Sequence, residues 1–330
     1  MVLHVTNGDE AALAIEAATG AATVLPWRDV LHDGPVPAGL DLERLSAVRA
    51  AFLAGELGLD EAQVRADFCR RDTALTAALA GGGPIVLWFE HDLYDQLQLL
   101  QVLDLVAGAG GTVAARVRLA QAGDHLAMQP AQTLVGLLAG AVPLAAGQLA
   151  LARRAWAAFR EPGLQACAGL LEHPRELARL PFLGAALRRL MEELPAPGTG
   201  LGRTERQILE LLAAEPRPPG PLFGAVAALE EARFMGDWSF FQRLRALAAG
   251  PVPLIAGIDP AAPLPHQGEA ARRLWSACRL TLTRAGREVL AGGCDRLAVQ
   301  APRRWQGGTL LEPGAVWRWD PVAGRLLQES

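Results

Sequence analysis

The sequence predicts an α/β front domain with a short, mostly parallel sheet, followed by helices and a winged-helix-like α+β rear domain. The front prediction rests on short apolar runs that alternate with helical patterns. The rear prediction rests on three helical patterns followed by strand-like sequence, beyond a Pro- and Gly-rich linker at 195–200. The expected parts are therefore an α/β domain at 1–125, a helical connecting region at 126–197 and a winged-helix-like domain at 198–330.

The periodicity of apolar residues predicts the elements of the front domain. The run IVLWF at 85–89 is continuously apolar, as in a strand buried on both faces. The stretches 42–55 and 60–80 carry apolar residues three and four apart, which indicates helices. The same reasoning predicts further strands at 2–6, 22–25 and 112–119 and further helices at 10–18 and 93–107.

The remainder of the chain is predicted to be helical first and mixed later. Helical patterns cover 148–160, 163–171 and 183–194. After the linker, Thr204 with Gln207 three residues on forms a capping-box pattern that begins a helix. Helices then follow at 205–214, 222–232 and 238–248, with the alternating strand CRLTLT at 278–283, in the order of a winged helix.

Composition argues against a membrane partner. Hydrophobic residues make up 51% of the 330 residues, yet no apolar run reaches the roughly 18 residues that a membrane span needs. The initial MVLHVTNGDE lacks the basic region and apolar stretch of a signal peptide. We therefore expect a cytoplasmic protein without membrane association, and the sequence leaves its oligomeric state open.

Several absences exclude common reaction classes. All 31 basic residues are arginine, so the chain has no lysine for a Schiff base or for an ordinary P-loop. The four cysteines are widely spaced, which argues against a disulfide framework or a cysteine-rich zinc site. The patterns GxSxG and HExxH do not occur, and no GxGxxG follows the first strand. Common hydrolases, zinc proteases and dinucleotide enzymes are therefore disfavoured.

Polar clusters follow three of the predicted strands. They are Asn7-Gly8-Asp9, then Trp27-Arg28-Asp29 with His32 and Asp33, and then Glu90-His91-Asp92 with Tyr94, Asp95 and Gln96. In an open parallel sheet, ligands bind beyond the carboxyl ends of the strands, where loops carry function. The sequence thus predicts that all three clusters converge on one edge of the sheet.

The residue types of these clusters suit metal or acid–base chemistry. His91 and Asp95 are four apart at a helix start, with Asp92 between them, so a divalent metal such as Zn²⁺ or Mn²⁺ could bind His91, Asp92 and Asp95. The same histidine, helped by Asp92 or Asp29, could act as a catalytic acid or base. The alternative is structural: Asp9 and Asp92 could be plain N-caps, and His91 an ordinary core histidine.

A phosphorylated small molecule or a nucleotide is the ligand that these clusters favour. The guanidinium group of Arg28 could bind a phosphate or carboxylate through two parallel hydrogen bonds. The alternative is that Arg28 only forms an ion pair with Asp29. Gly8, at a helix start, could let an anion approach backbone N–H groups. The expected ligand-binding residues are Asn7, Gly8, Asp9, Arg28, His32, Glu90 and Gln96. The sequence sets His125 aside as an isolated histidine.

Several segments carry a family resemblance. They are LHVTNGD near the amino terminus, LPWRDVLHDGPVPAG, LWFEHDLYDQLQLLQVL, and the later LPFLGAALRRLMEELP followed by LGRTERQILELL. Over most of the chain they resemble the bacterial family named domain of unknown function 1835. The resemblance implies a bacterial, cytoplasmic protein of two parts, and it implies no particular reaction.

The rear domain could bind DNA. Residues 1–200 carry 15 arginines and 22 acidic residues, a net charge of −7, whereas residues 201–330 carry 16 and 13, a net charge of +3. The third helix of a winged helix commonly enters the major groove, and here Gln242, Arg243 and Arg245 would be the DNA-binding residues. The aromatic start of that helix, DWSFF, instead favours packing.

Three hypotheses therefore remain open. The first, which the denser front clusters favour, is a small-molecule-binding protein or a metal-assisted enzyme with its site at the strand ends. The second is a ligand-responsive transcriptional regulator that binds DNA through the rear domain. The third is a protein-interaction scaffold. The sequence leaves open whether the protein catalyses a reaction.

Overall fold

The computed structural model describes residues 2–300, 302–314 and 317–328. The chain divides into two compact units, the first running to Leu187 and including Gln306–Thr309, the second beginning at Arg188 and holding the rest. The predicted α/β front and α+β rear are confirmed, and the three-part division at 125 and 197 stays a prediction. Within the described ranges, no helix combines the length and apolarity needed to cross a membrane.

A five-stranded sheet forms the frame of the first unit. Its strands are β1 (Leu3–Thr6), β2 (Val24–Pro26), β3 (Ile85–Phe89), β4 (Val117–Gln121) and β5 (Val142–Pro143), in the order β2-β1-β3-β4-β5. The first four run parallel, and β5 is antiparallel to β4. The chain therefore passes from β1 to β2 on one side and continues to β3 on the other, so the strand order reverses between β1 and β3.

Helices connect these strands and cover the sheet. They are α1 (Asp9–Thr19), α2 (Leu42–Leu57), α3 (Glu61–Ala80), α4 (Leu93–Gly108), α5 (Gly111–Ala114), α6 (Ala131–Ala139), α7 (Ala146–Arg160), α8 (Gln165–Leu171), α9 (Pro174–Leu177) and α10 (Leu183–Met191), which spans the boundary between the units. A short 3₁₀ helix occupies Leu126–Met128. The predicted helices at 42–55, 60–80 and 93–107 match α2, α3 and α4 within two residues.

The central strand β3 is buried along its whole length, as its apolar sequence predicts. On one face of the sheet, Val86 and Trp88 of this strand pack with Ala11 and Ile15 of α1. Because side chains alternate along a strand, residues at odd steps from Trp88 point to the opposite face.

The fourth strand begins five residues later than predicted. Residues 112–119 were expected to form it, but Gly110 has a φ of 99° and α5 follows immediately. Glycine adopts this positive φ readily, and the short helix α5 forms directly after it. Pairing of Val117 with Ile85 then aligns the start of β4 with the start of β3.

The second unit is an α+β assembly around its own core. Its helices are α11 (Arg203–Ala214), α12 (Pro219–Ala227), α13 (Asp237–Ala248), α14 (Glu269–Ala277), α15 (Arg284–Leu290) and α16 (Arg296–Val299), with a 3₁₀ helix at Pro265–Gln267. Its hairpins pair β6 (Ile255–Ala256) with β7 (Thr281–Leu282) and β10 (Trp317–Asp320) with β11 (Arg325–Gln328). A further hairpin pairs β8 (Arg304–Gln306) with β9 (Thr309–Leu311), and its residues Gln306–Thr309 count with the first unit. Leu209, Leu244 and Leu282 lie in the buried core of this unit.

Two predictions in this region differ from the structure. The strand expected at 278–283 is only Thr281–Leu282, because Leu280 forms an isolated bridge with Arg217 and Thr283 is already the N-cap of α15. The linker expected at 195–200 is a hydrogen-bonded turn within the second unit, in which Gly200 N donates to Ala196 O at 2.9 Å. Proline and glycine mark a turn here rather than an exposed connection.

Candidate functional site

The carboxyl ends of β1, β2 and β3 bring the three predicted polar clusters to one edge of the sheet. Asn7 Nδ2 donates to Asp95 Oδ2 at 2.7 Å, which joins the first cluster to the third. The Arg28 Nε group donates to both carboxylate oxygens of Asp9 at 2.9 Å, which joins the second cluster to the first. This edge includes the point between β1 and β3 where the strand order reverses, the usual position of a ligand crevice in such sheets.

Hydrogen bonds to both its backbone and its carboxylate fix the position of Glu90 at the end of β3. Its N–H donates to Asp95 Oδ1 at 2.7 Å, and its carbonyl accepts from Gln96 Nε2 at 2.6 Å. Its carboxylate accepts from the backbone N–H of Leu126 at 2.8 Å, and its other oxygen lies 2.8 Å from His125 Nδ1. The carboxylate of Glu90 therefore links the end of β3 to the loop after β4.

Asp92 is the N-cap of α4 and is almost completely buried. Its Oδ1 accepts from the backbone N–H of Asp95 at 3.1 Å, as an N-cap carboxylate does. Its Oδ2 lies 4.0 Å from His125 Nδ1. The capping role expected as the structural alternative is thus present, and it leaves Oδ2 directed towards the histidine.

One group of side chains in the described part of the chain could hold a metal ion. Glu90, Asp92 and His125 each offer a donor atom, and these atoms lie within 4.8 Å of one another. The metal set expected from the sequence was His91, Asp92 and Asp95. The structure instead engages both Asp95 oxygens with Asn7 and Glu90, and it places the His91 ring 6.1 Å from the His125 ring and 6.0 Å from that of Phe182.

His125 is the site residue that the sequence interpretation missed. It follows β4 with Asp124, much as the three recognised clusters follow their strands. The signal was therefore available in its position after a predicted strand. It was weak because one histidine beside one aspartate, far from the other clusters in sequence, resembles an ordinary loop.

Burial and charge shift the proton affinities of this group. Burial, reinforced by the charge of Glu90, raises the pKa of Asp92 to about 7. Burial also raises the pKa of Asp95 well above its usual range, aided by the charge of Asp92. The hydrogen bond to Glu90 raises the pKa of His125. Asp92, Asp95 and His125 therefore bind protons more tightly than the same side chains do in water.

The cluster that follows β2 takes part in two ion pairs, one exposed and formed by Arg28, the other buried and formed by Asp29. Arg28 has a φ of 51°, the only positive value at a non-glycine position in the described ranges, and its partner Asp9 is exposed. Asp29, expected to be catalytic, is fully buried and accepts from Arg49 Nε and Nη2 at 2.9 and 2.8 Å. Asp29 therefore anchors the loop between β2 and α2.

The two remaining front residues lie inside the unit. His32 is buried, and its ring meets the edge of Tyr94 with 6.0 Å between ring centroids. Gln96 is buried and donates to the carbonyl of Glu90. Because both side chains are buried, neither is exposed to a ligand at the surface.

The residues expected to bind DNA are less exposed than the hypothesis requires. Arg243 is buried, and its Nη2 lies 3.7 Å from Glu193 Oε2. Arg245 is half-buried, and its Nε donates to the carbonyl of Pro260 at 2.8 Å. Gln242 is half-buried on the same helix.

No protein-family model matches the chain, and comparison with curated proteins finds no match either. The geometry of the strand-end site is therefore what supports a function.

Proposed function

We propose that the first unit binds a divalent cation through Glu90, Asp92 and His125 and uses it to bind or transform a small molecule at the carboxyl edge of the sheet. One observation carries this proposal: three donor atoms from two neighbouring strand ends lie within 4.8 Å of one another. They lie beside the reversal of strand order, where open α/β sheets bind ligands.

The donor set suits a cation such as Mn²⁺ or Zn²⁺. Two carboxylates and one imidazole are common ligands of both ions. Donors on one ion at about 2.1 Å lie at most about 4.2 Å apart, so a separation of up to 4.8 Å closes with a shift of several tenths of an ångström. A cation would take the place of the proton between His125 and Glu90.

The chain's own residues hold the donors in position. The backbone N–H of Leu126 fixes one oxygen of Glu90, and the start of α4 fixes one oxygen of Asp92. Such outer contacts orient metal ligands. A bound divalent ion supplies Lewis-acid chemistry by polarising an oxygen of the small molecule.

Titration calorimetry with MnCl₂ and ZnCl₂, on the full chain freed of metal by a chelator, tests the proposal. We expect one ion per chain for the wild type. Glu90→Gln and His125→Gln should weaken binding by at least about tenfold. Glu90→Gln keeps the size of the side chain and the acceptor for Leu126, and His173→Gln, at an exposed histidine, is the matched control.

The outcomes separate clearly. Binding by the wild type and by His173→Gln, but not by the two site variants, supports the cation site. Failure of the wild type to bind either ion, or equal binding by Glu90→Gln, overturns it.

At the level of fold, we also propose that the second unit contains a winged helix and that the chain belongs to the family it resembles. Support for the winged helix comes from the order α11, α12, α13, β6 and β7. An antiparallel bridge also pairs Arg217, which lies between α11 and α12, with Leu280, which directly precedes β7. The regulator and scaffold hypotheses stay predictions, and the burial of Arg243 does not favour DNA binding.

A further inference from the structure

We infer that two copies of the chain associate through the groove between α2 and α3, with Arg65 of each copy against Glu43 of the other. The inference concerns a surface of the first unit and does not rest on the proposed cation site, because no residue of that site lines the groove.

The groove between α2 and α3 is open to solvent and has a volume of about 690 Å³. Residues 58–60 join the two helices, which pack side by side and therefore run antiparallel. Small side chains line the groove, among them Thr73 and Ala77, which are exposed. The groove therefore has room for the side chains of another molecule.

The floor of the groove offers no free charge to such a molecule. Asp72 lies there and is buried, and its Oδ2 accepts from the hydroxyl of Ser46. Its other oxygen, Oδ1, accepts from Arg71 Nε at 2.9 Å. Because both oxygens are engaged, recognition by charge falls to the rim of the groove.

Two exposed residues of opposite charge, Glu43 and Arg65, lie on this rim. Among the residues that the structure describes, the side chain of neither forms an ion pair. Arg70, which is exposed on the same helix as Arg65, pairs instead with Asp67. Glu43 and Arg65 therefore remain available to partners in another molecule.

The two charges lie towards opposite ends of the groove. The bond from Ser46 to Asp72 sets the register of the antiparallel helices and places Glu43 near Thr76. Arg65 precedes Thr76 by eleven residues on α3, which corresponds to about 16 Å along the helix. The groove thus has a positive end and a negative end.

A second copy of the chain complements this pattern. In a twofold dimer the same surface of both copies is in contact. A twofold axis that turns the groove end for end brings Arg65 of each copy to Glu43 of the other, so two ion pairs form. The arrangement with like ends together would place like charges opposite each other, which is unfavourable. The charges therefore select the antiparallel pair.

The size of this face suits a reversible dimer. The 16 residues of α2 extend for about 24 Å, and two adjacent helices are about 20 Å wide. The face therefore measures roughly 500 Å² per copy and roughly 1,000 Å² in the pair, at the lower limit for a specific interface.

The test is sedimentation equilibrium of the full chain over a concentration series. We expect the wild type to approach twice the monomer mass of 34.9 kDa. Glu43→Arg alone and Arg65→Glu alone should each raise the dissociation constant by at least about tenfold, because like charges then face each other. An equimolar mixture of the two variants should dimerise again, since in a mixed pair every contact joins an arginine to a glutamate.

Glu10→Arg is the matched control, because Glu10 lies in the first turn of α1 as Glu43 does in that of α2, and it is exposed outside the groove. It should dimerise as the wild type does. A wild type that stays monomeric throughout the series overturns the inference. So does a dimer that both single variants retain, or a mixture of the folded variants that stays monomeric.

Discussion

His125 Nδ1 lies 2.8 Å from Glu90 Oε2, although 35 residues separate them in the chain. The contact joins the loop after β4 to the end of β3 and places the imidazole between two carboxylates, with Asp92 Oδ2 at 4.0 Å. The hydrogen bond to Glu90 raises the pKa of His125, so protons and the proposed cation would compete for the same group.

Replacing Asp92 by asparagine should stabilise the metal-free protein at pH 8 more than at pH 5. The pKa of Asp92 is raised to about 7 by burial, so the folded state binds a proton more tightly than the unfolded state. The contribution of Asp92 to the free energy of unfolding is therefore full at low pH, and it is lost as the pH rises from about 4 to about 7. We expect a gain of roughly 2–4 kcal/mol at pH 8, measured by urea unfolding.

The matched control for this change is Asp41→Asn, since Asp41 is the exposed N-cap of α2 and likewise accepts from the N–H three residues on, that of Arg44. An Asp92→Asn effect of equal size at both pH values would contradict the prediction.

Cation affinity should rise between pH 6 and pH 8. The ion must displace the proton shared by His125 and Glu90 and any proton on Asp92, and metal binding by such ligands releases protons. We expect up to about a tenfold gain per pH unit for each proton released. Calorimetry in two buffers of different protonation enthalpy counts the protons, and an affinity independent of pH would refute this expectation.

Arg49→Met should destabilise the first unit by about 3–5 kcal/mol, because it leaves the buried carboxylate of Asp29 without its partner. Arg28→Met, which breaks the exposed pair with Asp9, should cost at most about 1 kcal/mol. Urea unfolding of both variants measures the difference. Equal losses would mean that Asp29 does not anchor its loop as the structure indicates.

Arg243→Met should destabilise the second unit by about 2 kcal/mol, because Glu193 loses one of its buried arginine partners. Arg245→Met, on the same helix but half-buried, should cost less. Thermal unfolding compares the two. If instead Arg243→Met leaves the stability unchanged and removes salt-dependent binding to duplex DNA, the result would support the hypothesis of a DNA-binding regulator.

Local sequence determined the elements that position the site. The continuous run IVLWF predicted β3 with its observed bounds, since a strand buried on both faces has an apolar side chain at every position. Residues 42–55 and 60–80 predicted α2 and α3 from apolar spacing alone. The polar residues after three strands predicted that the clusters meet at one edge of the sheet, because parallel strands share their carboxyl side.

Pairing between distant segments was decided only by the tertiary structure. Asp29 resembled a catalytic carboxylate until Arg49, 20 residues away, proved to be its buried partner. Asp95 resembled a metal ligand until Asn7 and the backbone of Glu90 engaged its oxygens. His125 resembled an isolated histidine until β4 paired with β3.

The sequence by itself thus determined which strand ends carry polar groups, because strand and helix periodicity is local. The tertiary structure alone decided which of those groups are engaged in structural bonds and which remain for a ligand. The physical reason is that hydrogen bonds and burial depend on neighbours that the fold, and not the sequence order, brings together.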